Sequence, residues 1–388
     1  MANRTRRDVL KTGLAVGAWS MVGLPEWTLP ALAQGDEVVP FTDIPDNFVT
    51  NVSATNRFLD IRTIDGPFTP KDLWFTTQHY GHPAVDPAAF RLKVTGLVDK
   101  PLSLSLDDLR KLGSSEIWFG FECSGNSARR LQGLSSNARW TGVPLRAVLN
   151  AAGVKADGHE VVFFGADKGP EEVEFRTQKF SVEQQYGRSL TREQAMGPDP
   201  MLAWALNGEP LTVHQGAPLR LLVPGWYGVA NVKWLANIHV QQERYLGKYQ
   251  ARWYRTLRGE MIDGELKWTE RAVTRMNVKS AIARVTRRGS TATVHGFVLH
   301  DGTPLRSVEV KVDDGPWQPA ALDPVTAKHK YSWKLFTYTW NNPTPGEHTL
   351  ISRATDVNGV VQPTAQELEH KKTFLEDNSQ MARKVRIG

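Results

Sequence analysis

The 388-residue chain has one cysteine, Cys123. An intrachain disulfide is therefore impossible, and packing alone must hold the fold. HExxH, CxxC, CxxCH, the P-loop pattern and GxSxG are all missing. This removes the signatures of zinc proteases, redox dithiols, c-type haem attachment, P-loop NTPases and α/β-hydrolases. No apolar run is long and clean enough to serve as a permanent membrane span. Internal repeats and low-complexity tracts are lacking. The charge balance is also mild, with 47 Lys and Arg against 41 Asp and Glu, a net +6. The basic residues are scattered, which argues against a nucleic-acid stripe. A mildly cationic surface suits anionic substrates or an acidic protein partner.

What is present reads as globular. The chain is 40% hydrophobic and 23% charged, enough apolar surface for the cores of two or three domains. Thirteen tryptophans point to large buried aromatic areas. At the N-terminus, Thr5-Arg6-Arg7-Asp8-Val9-Leu10-Lys11 is a twin-arginine pattern. A moderately apolar stretch, Thr12 to Leu24, and a small-x-small site, Ala31-Leu32-Ala33, follow it. Together they predict a Tat signal peptide over 1–33 and a periplasmic, oxidising location. In that compartment an exposed free thiol is a liability. Cys123 is thus expected to be buried, paired between chains, or bound to something.

The mature chain is read as two units. Residues 34 to about 70 are irregular and form an extended arm. Strand patterns follow at Phe90–Val94, Glu116–Glu122, Glu160–Gly165 and Arg220–Gly225. Short helices are expected after Ser105, a candidate N-cap, and over Val143–Gly153. Strands and short helices mix without a βαβ rhythm, which predicts an α+β fold over 34–270. Within 255–278 the character changes to short alternating strands with turns at Asp301-Gly302 and Asp314-Gly315. Residues 271–388 are expected to form an immunoglobulin-like β-sandwich without the intersheet disulfide.

On residue type alone, Cys123 has three readings: a buried structural thiol, a nucleophile, or a ligand for a soft transition metal. The first is the commonest. His79 and His82 in "QHYGHP" lack the further ligands a zinc site needs.

The neighbouring segments alter that balance. "FECSGNSARR" is followed by "GLSSNARWTGVPLRAVL", with Ala138-Arg139-Trp140-Thr141-Gly142 inside it. "YGRSLTREQAM", "MLAWALNGEPLTVHQGAPLRLLVPGWYGVANVKWL" and "LISRATDVNGVVQP" come later in order. Across roughly 70–365 the chain resembles the sulfite oxidase family of molybdenum enzymes. The resemblance implies an α+β molybdopterin domain and a C-terminal immunoglobulin-like domain that forms a homodimer. It implies one molybdenum–molybdopterin per chain, with Cys123 as the metal ligand and Tyr186 beside the metal. Phe75, Thr76, Thr77, Gln78, His79, Asp167, Gln215, Arg220, Asn231, Val232 and Lys233 fall on cofactor-binding positions. The family gathers arginines around its substrate anion; here Thr77, Ala128 and Lys334 stand at or near those positions. Lys334 and either Arg129 or Arg130 are the expected substitutes, with Arg129 preferred.

The resemblance thus implies periplasmic oxidation of sulfite to sulfate. Electrons would pass to an external c-type cytochrome, since the chain carries no haem motif of its own. The rivals are a related oxidoreductase for another sulfur compound or a sulfoxide, and a non-catalytic periplasmic module on the same scaffold. No nucleic-acid partner is expected.

Overall fold

A computed structural model describes residues 35–45, 53 and 56–388. The expected signal peptide lies outside the described residues. The fold is mixed but dominated by strands, with short helices between them.

Two five-stranded sheets are built mostly from residues 92–241. One orders Leu102–Leu104, Leu92–Gly96, Leu235–Gln241, Glu160–Phe175 and Gln178–Thr191. The other runs Arg220–Leu222, Met201–Leu206, Ser135–Pro144 and Ser115–Glu122, with Glu209–Pro210 pairing at one side. Their shared core includes Leu92, Val143, Val161, Phe163, Leu202, Leu221 and Ile238, all at most 1% exposed. Alternation along each strand turns these residues to one face.

The helix after Ser105 spans Leu106–Lys111 and starts with a capping box between Ser105 and Asp108. The side chain of each satisfies the other's backbone N–H, which fixes the helix start. The second helix, Leu145–Ala152, ends at Gly153, whose φ of +68° lies in the left-handed region. Here a glycine ends the helix without steric cost.

Residues 279–387 supply two more sheets. Lys279–Arg288, Thr291–Leu299 and Lys334–Asn341 lie in one; Leu305–Val312, Gly346–Asp356 and Ala382–Ile387 lie in the other. Val285, Val294, Leu350 and Val385, fully buried, close the space between them. The arm's first strand, Glu37–Val39, pairs with Lys279–Arg288 and so joins this sandwich.

Two hairpins exceed what patterning predicts. The expected strand at Glu160 continues to Phe175 and returns as Gln178–Thr191. Arg255–Ile262 pairs with Glu265–Ala272 as a separate two-stranded ribbon.

Candidate functional site

Cys123 leaves the end of strand Ser115–Glu122 and enters a tight turn. Its N–H donates to the Leu134 carbonyl at 2.9 Å, and its carbonyl accepts from Asn126 N–H at 2.9 Å. Asn126 organises the loop. Its Nδ2 donates to the Gln132 carbonyl at 3.0 Å and to Glu122 Oε1 at 3.2 Å. Its Oδ1 accepts from Leu134 N–H at 3.0 Å. The Ser-Gly-Asn following the cysteine is thus a device that fixes the thiol.

Glu122 anchors the other side. Lys279 Nζ donates to its Oε1 at 2.7 Å, and each side chain is 2% exposed. Lys279 belongs to the sandwich, so this buried ion pair ties the cysteine loop to the C-terminal sheets. Gly228 approaches the loop from the opposite side. A Cβ there would lie 3.3 Å from the Glu122 carbonyl oxygen and 3.7 Å from Cys123 Cα.

Cys123 lines a cleft of about 670 Å³, partly open to solvent. One wall is aromatic. Tyr186 stacks on Tyr249 with ring centroids 4.5 Å apart, and His79 stacks on Tyr249 at the same distance. The Tyr186 hydroxyl donates to the Val229 carbonyl at 2.7 Å. Tyr254 Oη and His79 Nε2 share a hydrogen bond of 2.8 Å. Burial raises the pKa of the Tyr186 phenol, so it stays a neutral donor. Burial, reinforced by Lys248 and Lys233, pushes the His79 imidazole down to about 4. Burial likewise pushes the Cys123 thiol up, beyond the opposing pull of the Gly125 N–H and Arg130. The free chain therefore holds a thiol there, and binding a cation must release its proton.

The other end is polar and cationic. Arg220 is 3% exposed. Its guanidinium donates to the Gln215 and Asn231 carbonyls at 2.8 and 3.0 Å. It also lies over the rings of Phe121 and Trp140. Lys233 Nζ reaches the Thr77 carbonyl at 3.2 Å and Gln78 Oε1 at 3.1 Å. Burial, then Arg220, pushes Lys233 down to about 7. Burial pushes the Asp167 carboxyl up to about 6.

Several polar atoms around this end lack a hydrogen-bond partner: Asp167 Oδ1, His214 Nδ1 and Arg220 Nε. Buried polar atoms are rarely left in this state unless water or a ligand satisfies them. Two cations, an acceptor carboxylate and loop carbonyls suit an anionic phosphate joined to an amide-rich ring. The Cys123 thiol in the same cleft suits a soft metal. The residues present therefore fit a metal–pterin cofactor.

The cleft gathers Phe75, Thr76, Thr77, Gln78, His79, Cys123, Asp167, Tyr186, Arg220, Asn231 and Lys233. Four expected residues do not line it. Lys334 is only 6% exposed, and its ammonium donates to the carbonyls of Thr326, at 3.0 Å, and His329. Its strand pairs with Thr291–Leu299 inside the sandwich, which carries it away from the thiol. Arg129 is exposed in the short 3-10 turn Ala128–Arg130. Of the arginine pair, Arg130 is the one whose charge reaches Cys123. Gln215 turns inward, and its Oε1 accepts from the N–H and hydroxyl of Thr212. Val232 is fully buried in the core between the sheets. The residues beside these two do line the cleft. His214 lines the cleft beside Gln215, and Lys233 does so beside Val232.

Tyr254 and Trp234 also line the cleft without a local sequence signal. Tyr254 follows the π-helical segment Lys248–Arg252, which no apolar periodicity marks.

A family model described as "Oxidoreductase molybdopterin binding domain" matches residues 79–249. The chain is 32% identical to human mitochondrial sulfite oxidase over 325 residues, covering 76% of this chain and 57% of that protein. It thus spans little more than half of the human protein's length. It is 30% identical to sulfite oxidase of Gallus gallus over 324 residues, covering 76% of this chain and 68% of that one. Among solved structures, the sulfane dehydrogenase SoxCD of Paracoccus pantotrophus matches with a TM-score of 0.72 at 26% identity. That match covers 88% of this chain and 90% of the other. With a thiol and buried cations lining one cleft, and with 30% identity over more than two thirds of the avian enzyme, the chain belongs to the sulfite oxidase family of molybdopterin enzymes.

Proposed function

We propose that the protein oxidises sulfite to sulfate in the bacterial periplasm and passes the electrons, one at a time, to an external c-type cytochrome. The observation that carries this reading is the chain's single cysteine, fixed in a cleft that also holds buried cations and unsatisfied polar atoms. Cys123 Sγ would hold the molybdenum; Asp167, Arg220, Lys233 and the 75–79 loop would hold the pterin and its phosphate. When bound, that group supplies two-electron redox chemistry and oxygen-atom transfer.

The chain's own residues supply position and electrostatics. The loop built on Asn126 and Glu122 sets where the sulfur sits. Tyr186 holds a neutral phenol at the reacting end, oriented by the Val229 carbonyl. His79, kept neutral, accepts or donates at Tyr254 without adding charge. The stacked rings of His79, Tyr186 and Tyr249 exclude water from that wall. The C-terminal sandwich, read as immunoglobulin-like, would carry the homodimer contact, and the twin-arginine segment would direct export.

Steady-state assays of molybdenum-loaded protein with sulfite and cytochrome c or ferricyanide test the reading. Sulfite turnover supports it, and its absence overturns it. The second reading is oxidation of another sulfur compound. The likeness to a sulfane dehydrogenase favours it, as does the placement of Lys334 and Arg129 away from the cleft. Turnover of such a compound without turnover of sulfite would establish it.

A further inference from the structure

Arg188 lies two residues beyond Tyr186 on strand Gln178–Thr191. Strand alternation therefore puts both side chains on the same face of the sheet. Arg188 is 1% exposed. Its Nη1 donates to the Tyr249 carbonyl at 2.6 Å and its Nη2 to the Val273 carbonyl at 2.8 Å. Both acceptors are joined to the aromatic wall. The Tyr249 ring stacks on Tyr186, and Val273 N–H donates to the Tyr254 carbonyl at 2.9 Å. The guanidinium thus sits directly behind the wall that faces the thiol. Its Nε has no partner.

Among the described residues, no carboxylate pairs with Arg188. Tyr186, Tyr254 and Tyr245 favour the charged form of Arg188, and no carboxylate is among the groups that do. Burying a guanidinium without an opposite charge is costly, so such a charge is retained where something compensates it. Other buried cations have partners: Lys279 has Glu122, Lys248 has Glu171 and Arg383 has Asp43. Arg220 and Lys233 face the end of the cleft suited to a phosphate. Lys334 has no carboxylate but caps two carbonyls inside the sandwich. That leaves Arg188 as the buried cation without a carboxylate behind the Tyr186 and Tyr254 wall.

We infer that Arg188 is a fixed positive charge that draws a small divalent oxyanion to the thiol end of the cleft, in the role the family resemblance gave to Lys334 and either Arg129 or Arg130. It is a positioning residue, acting from behind Tyr186 and Tyr254 rather than by touching the ligand. This makes anion selectivity a long-range electrostatic effect across a low-dielectric wall, where one charge counts for more than in water. Arg188 adds a buried charge to that of exposed Arg130, which also reaches Cys123. The inference deepens the sulfite reading and rests on it for the identity of the substrate.

The test uses the full chain and sulfate as the probe. Isothermal titration calorimetry measures sulfate binding to the wild type, Arg188→Met and Arg188→Lys; sulfite kinetics supply KM and kcat separately. Arg188→Met is expected to weaken sulfate binding about tenfold and to raise KM for sulfite similarly, with kcat within about twofold. Arg188→Lys keeps the charge but not the two-carbonyl fork. It is expected to retain sulfate affinity within about threefold even where its Tm falls. If Arg188→Met fails to fold, the lysine variant decides. A folded lysine variant that loses sulfate affinity overturns the inference, since charge would then not suffice. So does unchanged sulfate binding in folded Arg188→Met, or no sulfate binding by the wild type. Sulfate binding that depends on Arg188, in a protein that does not turn over sulfite, would sink the sulfite reading and leave the charge assignment standing.

Discussion

Lys279→Met breaks the ion pair that joins the cysteine loop to the sandwich. The pair is 2.7 Å long with both side chains 2% exposed, so water cannot replace the lost partner. Glu122 would keep only the Asn126 bond on Oε1, and its Oε2 already lacks a partner. Removing one member of a buried pair costs about 3–5 kcal/mol, most of it the penalty of the stranded charge. Replacing both members by neutral groups costs far less, so Glu122→Gln with Lys279→Met should recover most of the loss. Burial raises the Glu122 pKa above its ordinary 4.5. The folded single variant therefore binds more protons than the unfolded chain above that value, and its stability falls as pH rises. Urea unfolding of the four proteins of the cycle measures each effect at a common pH. The reasoning fails if Lys279→Met alone costs under about 1 kcal/mol, as an exposed pair would. It fails equally if the double variant loses the sum of the two single losses.

Three further outcomes are expected. Lys334→Met should leave KM for sulfite within about twofold while lowering Tm, because its ammonium serves carbonyls of Thr326 and His329 and not the cleft. His300 is 3% exposed and held neutral: Nδ1 accepts from Gly302 N–H at 3.1 Å, and Nε2 donates to the Ser332 carbonyl at 3.1 Å. Burial pushes its pKa down from 6.5 to about 4. The unfolded chain then binds the extra proton between those values, so stability present above pH 6.5 is lost as pH falls toward 4. Thermal unfolding across that range should show a loss of about 3 kcal/mol that His300→Gln lacks. Lys233→Met and Arg220→Met should each purify with less pterin than the wild type, measured by fluorescence of the oxidised cofactor, because each removes a buried cation from the phosphate end.

Local rules made much of the scaffold legible. Ser105 marked a helix start, and Gly153 marked a helix end, because capping is a property of a few consecutive residues. Cys123, Tyr186, Asp167 and the 75–79 loop could be placed because ordered motifs carried them. Side chains one position apart on a turn or strand were harder. His214 instead of Gln215, and Lys233 without Val232, depend on which way a short irregular segment turns. Lys334 was expected at the cleft from the family resemblance, but its strand lies in the sandwich and its ammonium caps carbonyls there. Glu122 had no sequence-level account at all. Its partner, Lys279, is distant in the chain, and only the meeting of two sheets brings them together.

The central claim is that Cys123 and the cationic cradle hold a molybdenum–pterin group. Molybdenum and pterin analysis of the purified wild type and of Cys123→Ser tests it most directly. One molybdenum and one pterin per wild-type chain, with molybdenum lost from a still-folded Cys123→Ser variant, is the predicted result. Wild-type protein that folds with neither metal nor pterin, or a serine variant that retains its molybdenum, would contradict it.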